Sequence, residues 1–301
     1  MESRLMDTRE AAEFLGVNEK QIYTLIHERG LPGTKVTGKW VFPRHLVERW
    51  IESSVVNMPG EEQFLARARG LLLIAGSDDP LLTYLISLYR NRFPDTIPLQ
   101  SRAGSSEGLM ALKKRICHIA CLHLINPEGE GYNTDHLAEA MGEEVVAVSF
   151  AMRTQGILLS PGNPLGIESL QDLVRREARL INREVGTGTR LLLDRELDRA
   201  GLNPAQIPGY DSTATGHLEV GLEVMRDHAD AGIAIEAVAS LLGLDFIPIK
   251  RERFDLVVLR DEFFTEPVQN FLGLLHDAEF AREANALAGY DIGDTGKILL
   301  S

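Results

Sequence analysis

Three short segments combine hydroxyl side chains with glycine in a pattern suited to holding an anion. They are Ala75-Gly76-Ser77-Asp78-Asp79, Ala103-Gly104-Ser105-Ser106-Glu107-Gly108 and Asn182-Arg183-Glu184-Val185-Gly186-Thr187-Gly188-Thr189-Arg190. Each lies between a strand-like run and an amphipathic helical stretch. Small residues let the backbone approach a ligand, and Ser and Thr add donors. A helix N-terminus adds unpaired N–H groups and a partial positive charge. Ligands of open α/β sheets sit at the carboxyl ends of strands, so convergence of these loops would make an anion cage from neutral donors. A single loop of this kind is more often a plain helix cap; its recurrence favours a site. The third loop lacks the Gly-Lys-Ser/Thr ending of a P-loop, which argues against nucleotide hydrolysis.

Other residues have competing readings. Arg153 and Arg190 could bring positive charge to an anion, although Arg190 could equally pair with Asp194 one helical turn on. His217 reads as a helix-start residue rather than a cleft group. Cys117, His118, Cys121 and His123 invite a metal, but cysteines on an apolar strand are usually core packing. The expectation is therefore no metal and no cofactor. Lys250-Arg251-Glu252-Arg253 reads as a solvated connector, with a basic contact patch as the alternative. HExxH, GxSxG and the kinase motifs are missing from the sequence, so no catalytic residues are assigned and a non-enzyme is expected.

The elements that would position these residues fall into two patterns. Residues 1–54 read as a small helical unit. Asp7 or Thr8 caps a first helix, Gly16 makes a turn, and Asn18 caps a second helix with an Ile22, Leu25, Ile26 stripe. Leu31–Phe42 then reads as a hairpin turning at Gly38, and Pro43 begins a closing helix. That is a winged helix-turn-helix plan. The second helix and wing would meet duplex DNA through Asn18, Lys20, Gln21, Tyr23, Thr24, Lys35 and Lys39. Residues 55–69 read as a linker. From Gly70 onward strands alternate with helices. The strands expected are Leu71–Ala75, Ile97–Gln100, Ile116–Leu122, Val145–Phe150, Ile157–Ser160, Arg179–Asn182, Ala231–Ile235, Phe246–Ile249 and Leu256–Leu259. The helices are Pro80–Asn91, Glu107–Arg115, Thr189–Ala200 and Gly216–Asp227. This is an α/β domain with mainly parallel sheets.

Bulk properties set bounds. The 301 residues are 44% hydrophobic and 25% charged, a soluble globular profile. No apolar run is long enough for a bilayer, and no secretory signal is evident, so no membrane is involved and a cytoplasmic location is expected. Two cysteines do not make a disulfide framework. The net charge is −13, which opposes non-specific DNA binding. Residues 1–54, however, balance eight basic against eight acidic side chains, so the whole excess sits on the remainder. DNA contact must come from local placement of charge.

Two resemblances sharpen the picture. DTREAAEFLGVNEKQIYTLIHERGLPGTKVTGKWVFPRHLVERWI resembles the excisionase/MerR-like helix-turn-helix family over residues 4–52. INREVGTGTRLLLDREL, with the upstream GILLSPGNPLGIESLQDL, resembles cytoplasmic relatives of periplasmic molybdate-binding proteins with the type II periplasmic-binding fold. AGSDDPLL and AGSSEGLMAL fit the same pattern, which covers roughly residues 70–260. The strand Cys117-His118-Ile119-Ala120-Cys121 departs from the family's small-residue pattern there. This resemblance implies a periplasmic-binding-protein-like domain, 70–301, of two lobes. Lobe 1 is about 70–150 and 250–301, lobe 2 about 151–249, with crossovers near Phe150–Arg153 and Ile249–Phe254. It places Ser77, Ser105 or Ser106 on one side of the cleft and Thr187, Gly188 and Thr189 on the other. It also implies a DNA-binding regulator, expected as a homodimer, that senses a small oxyanion, molybdate or tungstate. Two alternatives stay open: an anion sensor whose N-terminal domain contacts protein, and an enzyme on the same scaffold.

Overall fold

The computed structural model describes residues 5–35, 38–54, 70–126, 131–142 and 144–300. The chain packs as two units, residues 1–60 and 61–301. The linker expected at 55–69 and residues 36–37 of the expected hairpin lie outside the described residues.

In the first unit, α1 (Thr8–Leu15) starts with a capping box. The Asp7 carboxylate accepts from the N–H groups of Arg9 and Glu10, and the Glu10 carboxylate accepts from the Asp7 N–H. Gly16 ends the helix in the left-handed region at φ 66°, a conformation glycine adopts without strain. The helix α2 (Glu19–Arg29) repeats the device with Asn18 and Gln21. Thr34 bridges Val41 across the hairpin, β1 (Leu5–Met6) pairs antiparallel with β2 (Phe42–Pro43), and α3 (Arg44–Ser53) closes the unit. Met6, Ala11, Ala12, Ile22, Leu31, Phe42 and Val47 form its core.

The second unit is built on one mixed sheet. Its main strands are β3 (Leu71–Gly76), β4 (Ile97–Arg102), β5 (Ile119–Leu122), β6 (Val145–Leu159), β7 (Leu180–Arg183), β8 (Thr213–Ala214), β9 (Ala231–Ile235) and β10 (Asp245–Leu259), in the order β4-β3-β5-β10-β6-β9-β7-β8, with the short strands β11 (Tyr290–Asp291) and β12 (Ile298–Leu300) each pairing antiparallel with β6. The pairs β3–β4, β3–β5, β7–β8 and β7–β9 are parallel, while β10 runs antiparallel to β5 and β6, and β6 antiparallel to β9. The expectation of mainly parallel pairing thus holds for the flanks and fails at the centre.

The reason is that β6 and β10 each run 15 residues, about 50 Å of extended chain. The expected strands Val145–Phe150 and Ile157–Ser160 are one strand, and so are Phe246–Ile249 and Leu256–Leu259. The first half of β6 lies in lobe 1 and pairs with the part of β10 that also pairs with β5, and its second half pairs with β9 in lobe 2. Register shifts in β10 at Pro248/Lys250 and Phe254/Asp255 bracket the crossing, as bulges do where a strand bends. Separate apolar clusters lie on either side of it. One in lobe 1 gathers Leu72, Leu85, Phe150, Phe254 and Phe271, and one in lobe 2 gathers Leu158, Val220, Val238 and Leu244.

Candidate functional site

The crossing strands bring polar side chains from both lobes into one buried cluster. Along β6, Arg153 and Gln155 interrupt an otherwise apolar run and are almost fully buried. On β10, Glu252 is buried to the same degree within the charged run Lys250–Arg253. Arg153 Nη1 donates to Asp79 Oδ2 at 2.7 Å and its Nε to Glu252 Oε1 at 2.6 Å, while its guanidinium lies 4.4 Å from the Phe254 ring centre. Glu252 also meets the His123 ring at Nδ1, 2.9 Å away, and accepts from the Gln155 amide. Burial opposes ionisation of Glu252, but His123 and Arg153 outweigh it and hold the carboxyl at about 2. The Lys250–Arg253 run is therefore not a solvated connector. Strand alternation turns Glu252 into the interior, while Arg251 pairs with Asp291 at the surface.

The three loops meet at this cluster. Gly76 at the end of β3 has φ +122°, and a Cβ there would stand 2.3 Å from Cys121 O. Gly108 packs against it so closely that a Cβ would lie 2.6 Å from Gly76 Cα. This contact seats the helix α5 (Ser105–Lys113), which follows α4 (Pro80–Arg92), on β3. Ser77 and Ser105 then share a hydrogen bond of 2.7 Å, and Ser105 Oγ accepts from His123 N–H. On the other side, Thr187 caps the helix Gly188–Arg199, donating to Glu184 O and accepting from Arg190 N–H. A Cβ on Gly188 would lie 2.5 Å from the His123 ring, so glycine permits this approach between lobes. Ser106 donates across the gap to Gly186 O at 3.0 Å.

Lobe 2 also contributes charge. Arg183 Nη2 donates to Asp78 Oδ1 at 2.9 Å, and the N–H of His217, first residue of the helix His217–Met225, donates to Asp78 Oδ2 at 2.7 Å. Burial alone would raise the Asp78 pKa; the groups at His217, Arg183 and Arg153 hold it well below the usual carboxylate range. The His217 ring is buried, and burial pushes its pKa well below the ordinary imidazole value. His123 is lowered for the same first reason. Among the described residues, Arg153 Nη2, Arg183 Nε and Nη1, Thr189 Oγ1, Gln155 Oε1 and both His217 ring nitrogens are buried without a hydrogen-bond partner.

Of the ligand residues expected from sequence, Ser77, Ser105, Ser106, Gly188, Thr189 and Arg153 lie where the lobes meet. The Thr187 hydroxyl is spent on capping. Arg190 turns away from the cleft, pairing with Asp194 at 2.9 Å and lying 4.2 Å from the Tyr210 ring centre, which is the second of its two readings. The cage of neutral donors is corrected too: Arg153 and Arg183 face Asp78, Asp79 and Glu252. Sequence reasoning missed Asp78, His123, Gln155, Arg183, His217 and Glu252. Polar residues within strand-forming runs were a signal for Gln155 and Glu252 alone, because Asp78, His123 and His217 lie outside strands and Arg183 ends one.

Cys117 and Cys121 are buried free thiols, and burial pushes Cys117 up to about 12. His118 accepts from the Leu73 N–H. These residues pack the strand, and the described residues contain no group of three His, Cys, Asp or Glu side chains disposed to hold a metal ion.

In the first unit, Lys20, Gln21, Tyr23 and Thr24 are exposed on α2. Asn18 and Gln21 are partly committed within the chain, since each side-chain oxygen accepts from the other residue's N–H, at 3.0 and 3.1 Å. Asn18 thus takes the capping place expected of it. Lys35 and Lys39 are exposed beside the hairpin, with Lys35 Nζ 5.1 Å from the Trp40 ring centre.

Comparisons with known proteins agree with this architecture. A helix-turn-helix domain model matches residues 5–54, and a PBP superfamily domain model matches residues 86–276. The protein YvgK of Bacillus subtilis (strain 168) is 30% identical over 305 residues, covering 97% of this chain and 96% of that one. A Clostridium perfringens protein described as a phosphate ABC transporter substrate-binding protein, with phosphate bound, superposes with a TM-score of 0.55 at 13% identity, covering 72% of this chain and 97% of that chain. A Geobacter sulfurreducens tungstate ABC transporter structure gives 0.52 at 12% identity, covering 71% and 97%. A peroxide-bound cysteine-to-serine mutant of Corynebacterium glutamicum OxyR gives 0.51 at 16% identity over 94% of this chain and 90% of that one. At such identities these three share the fold alone. Among the described residues no helix is long and apolar enough to cross a membrane. The chain belongs to the PBP superfamily-domain family and carries a helix-turn-helix domain ahead of that domain in the same polypeptide.

Proposed function

We propose that this protein is a cytoplasmic, ligand-responsive transcription regulator, acting as a homodimer, whose two-lobed domain closes on a small oxyanion. It is read as a binding protein and not an enzyme. The observation that carries the reading is the set of buried donors without protein partners between the lobes: Arg183 Nε and Nη1, Arg153 Nη2 and Thr189 Oγ1. Buried N–H and O–H groups cost free energy unless matched, and an anion with several acceptor oxygens is the ligand class that supplies what they lack. Molybdate and tungstate are the first candidates, on the resemblance of the Gly186–Arg190 loop and the Gly156–Leu173 segment to molybdate-binding relatives. Relatives of the same fold are described with phosphate and with tungstate, so phosphate and sulfate belong in the same comparison.

Ligand that stabilises one closure of the lobes would change the spacing of two DNA-reading domains in a dimer, and so the match to paired half-sites. The excisionase/MerR-like character of residues 4–52 supports DNA rather than protein as the target. The test combines a thermal-shift screen of the four anions with mobility shift on the protein's own promoter DNA. Anion at about a hundred times its dissociation constant adds about 2.7 kcal/mol of stability. No stabilisation by any of them overturns the ligand reading. No DNA shift at low salt, with or without anion, overturns the regulator reading.

A further inference from the structure

The charge inside the cleft sets a condition on what it binds. Resting on the anion reading above, the inventory is two guanidinium groups, Arg153 and Arg183, against three carboxylates, Asp78, Asp79 and Glu252. The cluster therefore carries more negative than positive charge before any anion arrives. A doubly charged oxyanion adds to that excess in a buried space, where charges are poorly screened.

One residue is placed to relieve it. The His217 ring is 1% exposed and neither ring nitrogen has a partner among the described residues. A neutral imidazole has one donor and one acceptor to satisfy, and this one satisfies neither through the protein. The charged groups that act on it are Asp78 in the loop after β3, Arg183 on β7, Arg153 on β6, His123 at the end of β5 and Glu252 on β10. The His123 ring centre lies 6.5 Å away. Glu219, on its own helix, has a carboxylate oxygen close beside Gly216. His123 differs in that its Nδ1 already meets Glu252, so a proton taken up there answers that carboxylate first.

We propose that the anion enters this cleft together with one proton from solvent, and that the proton is held on the His217 imidazole, which then donates to the anion and to the Asp78 side of the cleft. The imidazolium offsets one of the negative charges in excess and turns two unmatched ring nitrogens into two donors. In the ligand-free protein burial keeps His217 neutral; a bound anion reverses the balance. Binding then tightens as pH falls, and the number of protons taken up equals the slope of log affinity against pH.

The experiment is isothermal titration calorimetry of the full-length protein with molybdate from about pH 6 to about pH 8.5, a range that begins near the ordinary imidazole value and extends well above it. Buffers of different ionisation enthalpy report proton uptake directly and need no variant. The expected result is about one proton per anion, with affinity falling toward tenfold per pH unit on the alkaline side. In His217→Gln both proton uptake and pH slope vanish. In His228→Gln, an exposed histidine paired with Glu223, both persist. Molybdate binding with no proton uptake, or a full slope retained in His217→Gln, overturns the proposal while leaving the anion reading standing. No heat from molybdate, tungstate, sulfate or phosphate overturns the anion reading itself, and this proposal with it.

Discussion

The Asp78 carboxylate and the Arg183 guanidinium come from opposite lobes and meet at 2.9 Å, both almost fully buried. Asp78 also accepts from the N–H that opens the helix His217–Met225. It occupies the kind of position a ligand oxygen would take: at a helix N-terminus, beside an arginine, between two lobes. The pair is thus a ligand-independent tie across the cleft.

Asp78→Ala should cut that tie. Removing one partner of a buried ion pair leaves the other charge uncompensated, at a cost of about 3–5 kcal/mol. Here the cost can be relieved by opening the lobes, which returns Arg183 to water. The expected outcome is a lower melting temperature together with a larger radius of gyration in solution scattering of ligand-free protein. A variant with unchanged scattering and unchanged melting would show that Asp78 does not hold the lobes together.

How the sequence announced each part depends on whether the signal was local. Asp7, Gly16, Asn18 and Gly30 mark helix ends through contacts within a few residues, and all four sit as caps. Ser77, Ser105 and Thr189 were legible because a glycine–hydroxyl loop before a helix is also a local pattern. Arg183, His217, Glu252 and Asp78 were not, because nothing near them in sequence signals that they meet. Their proximity is made by β6 and β10 crossing between lobes. Those strands were hard to read for a related reason. Arg153 and Gln155, or Lys250 to Arg253, look like breaks between two short strands, whereas each set is the polar middle of one long strand. Arg190 was ambiguous because an i, i+4 partner and a cleft role predict the same residue at the same helix start.

The proposed DNA contacts divide into two kinds, and the capping geometry sets Gln21 apart from its neighbours. Its carbonyl oxygen is used on the Asn18 N–H. Gln21→Ala should therefore destabilise the first unit by roughly 0.5–2 kcal/mol, the usual cost of a lost cap contact, besides weakening DNA binding. Thr24 is exposed one turn on and makes no such contribution, so Thr24→Ala should shift sequence preference without changing stability. Lys39→Ala should weaken binding to all sequences alike and reduce the salt slope by about one. Binding isotherms at several salt concentrations on matched and mutated promoter DNA separate these outcomes. A Lys39→Ala salt slope equal to wild type would remove the wing from the interface.

Thr189 and Ser105 offer a contrast that separates a ligand hydroxyl from a structural one. Ser105 Oγ is bonded to Ser77 Oγ and to the His123 N–H, so Ser105→Ala leaves a buried donor and a buried hydroxyl unmatched and should lower the stability of the ligand-free protein by about 1–3 kcal/mol. Thr189 Oγ1 is equally buried but has no partner among the described residues. Replacing it by alanine removes a hydroxyl that the protein alone does not satisfy, so Thr189→Ala should leave the ligand-free melting temperature unchanged or slightly raised. If the hydroxyl serves an oxyanion, the same variant should lose a charge-assisted hydrogen bond to it, weakening binding by about 1.5–3 kcal/mol. Melting curves and calorimetry with molybdate on both variants give the two numbers for each. Unchanged affinity in Thr189→Ala would remove that hydroxyl from the binding site. A stability loss as large as that of Ser105→Ala would assign it to the scaffold.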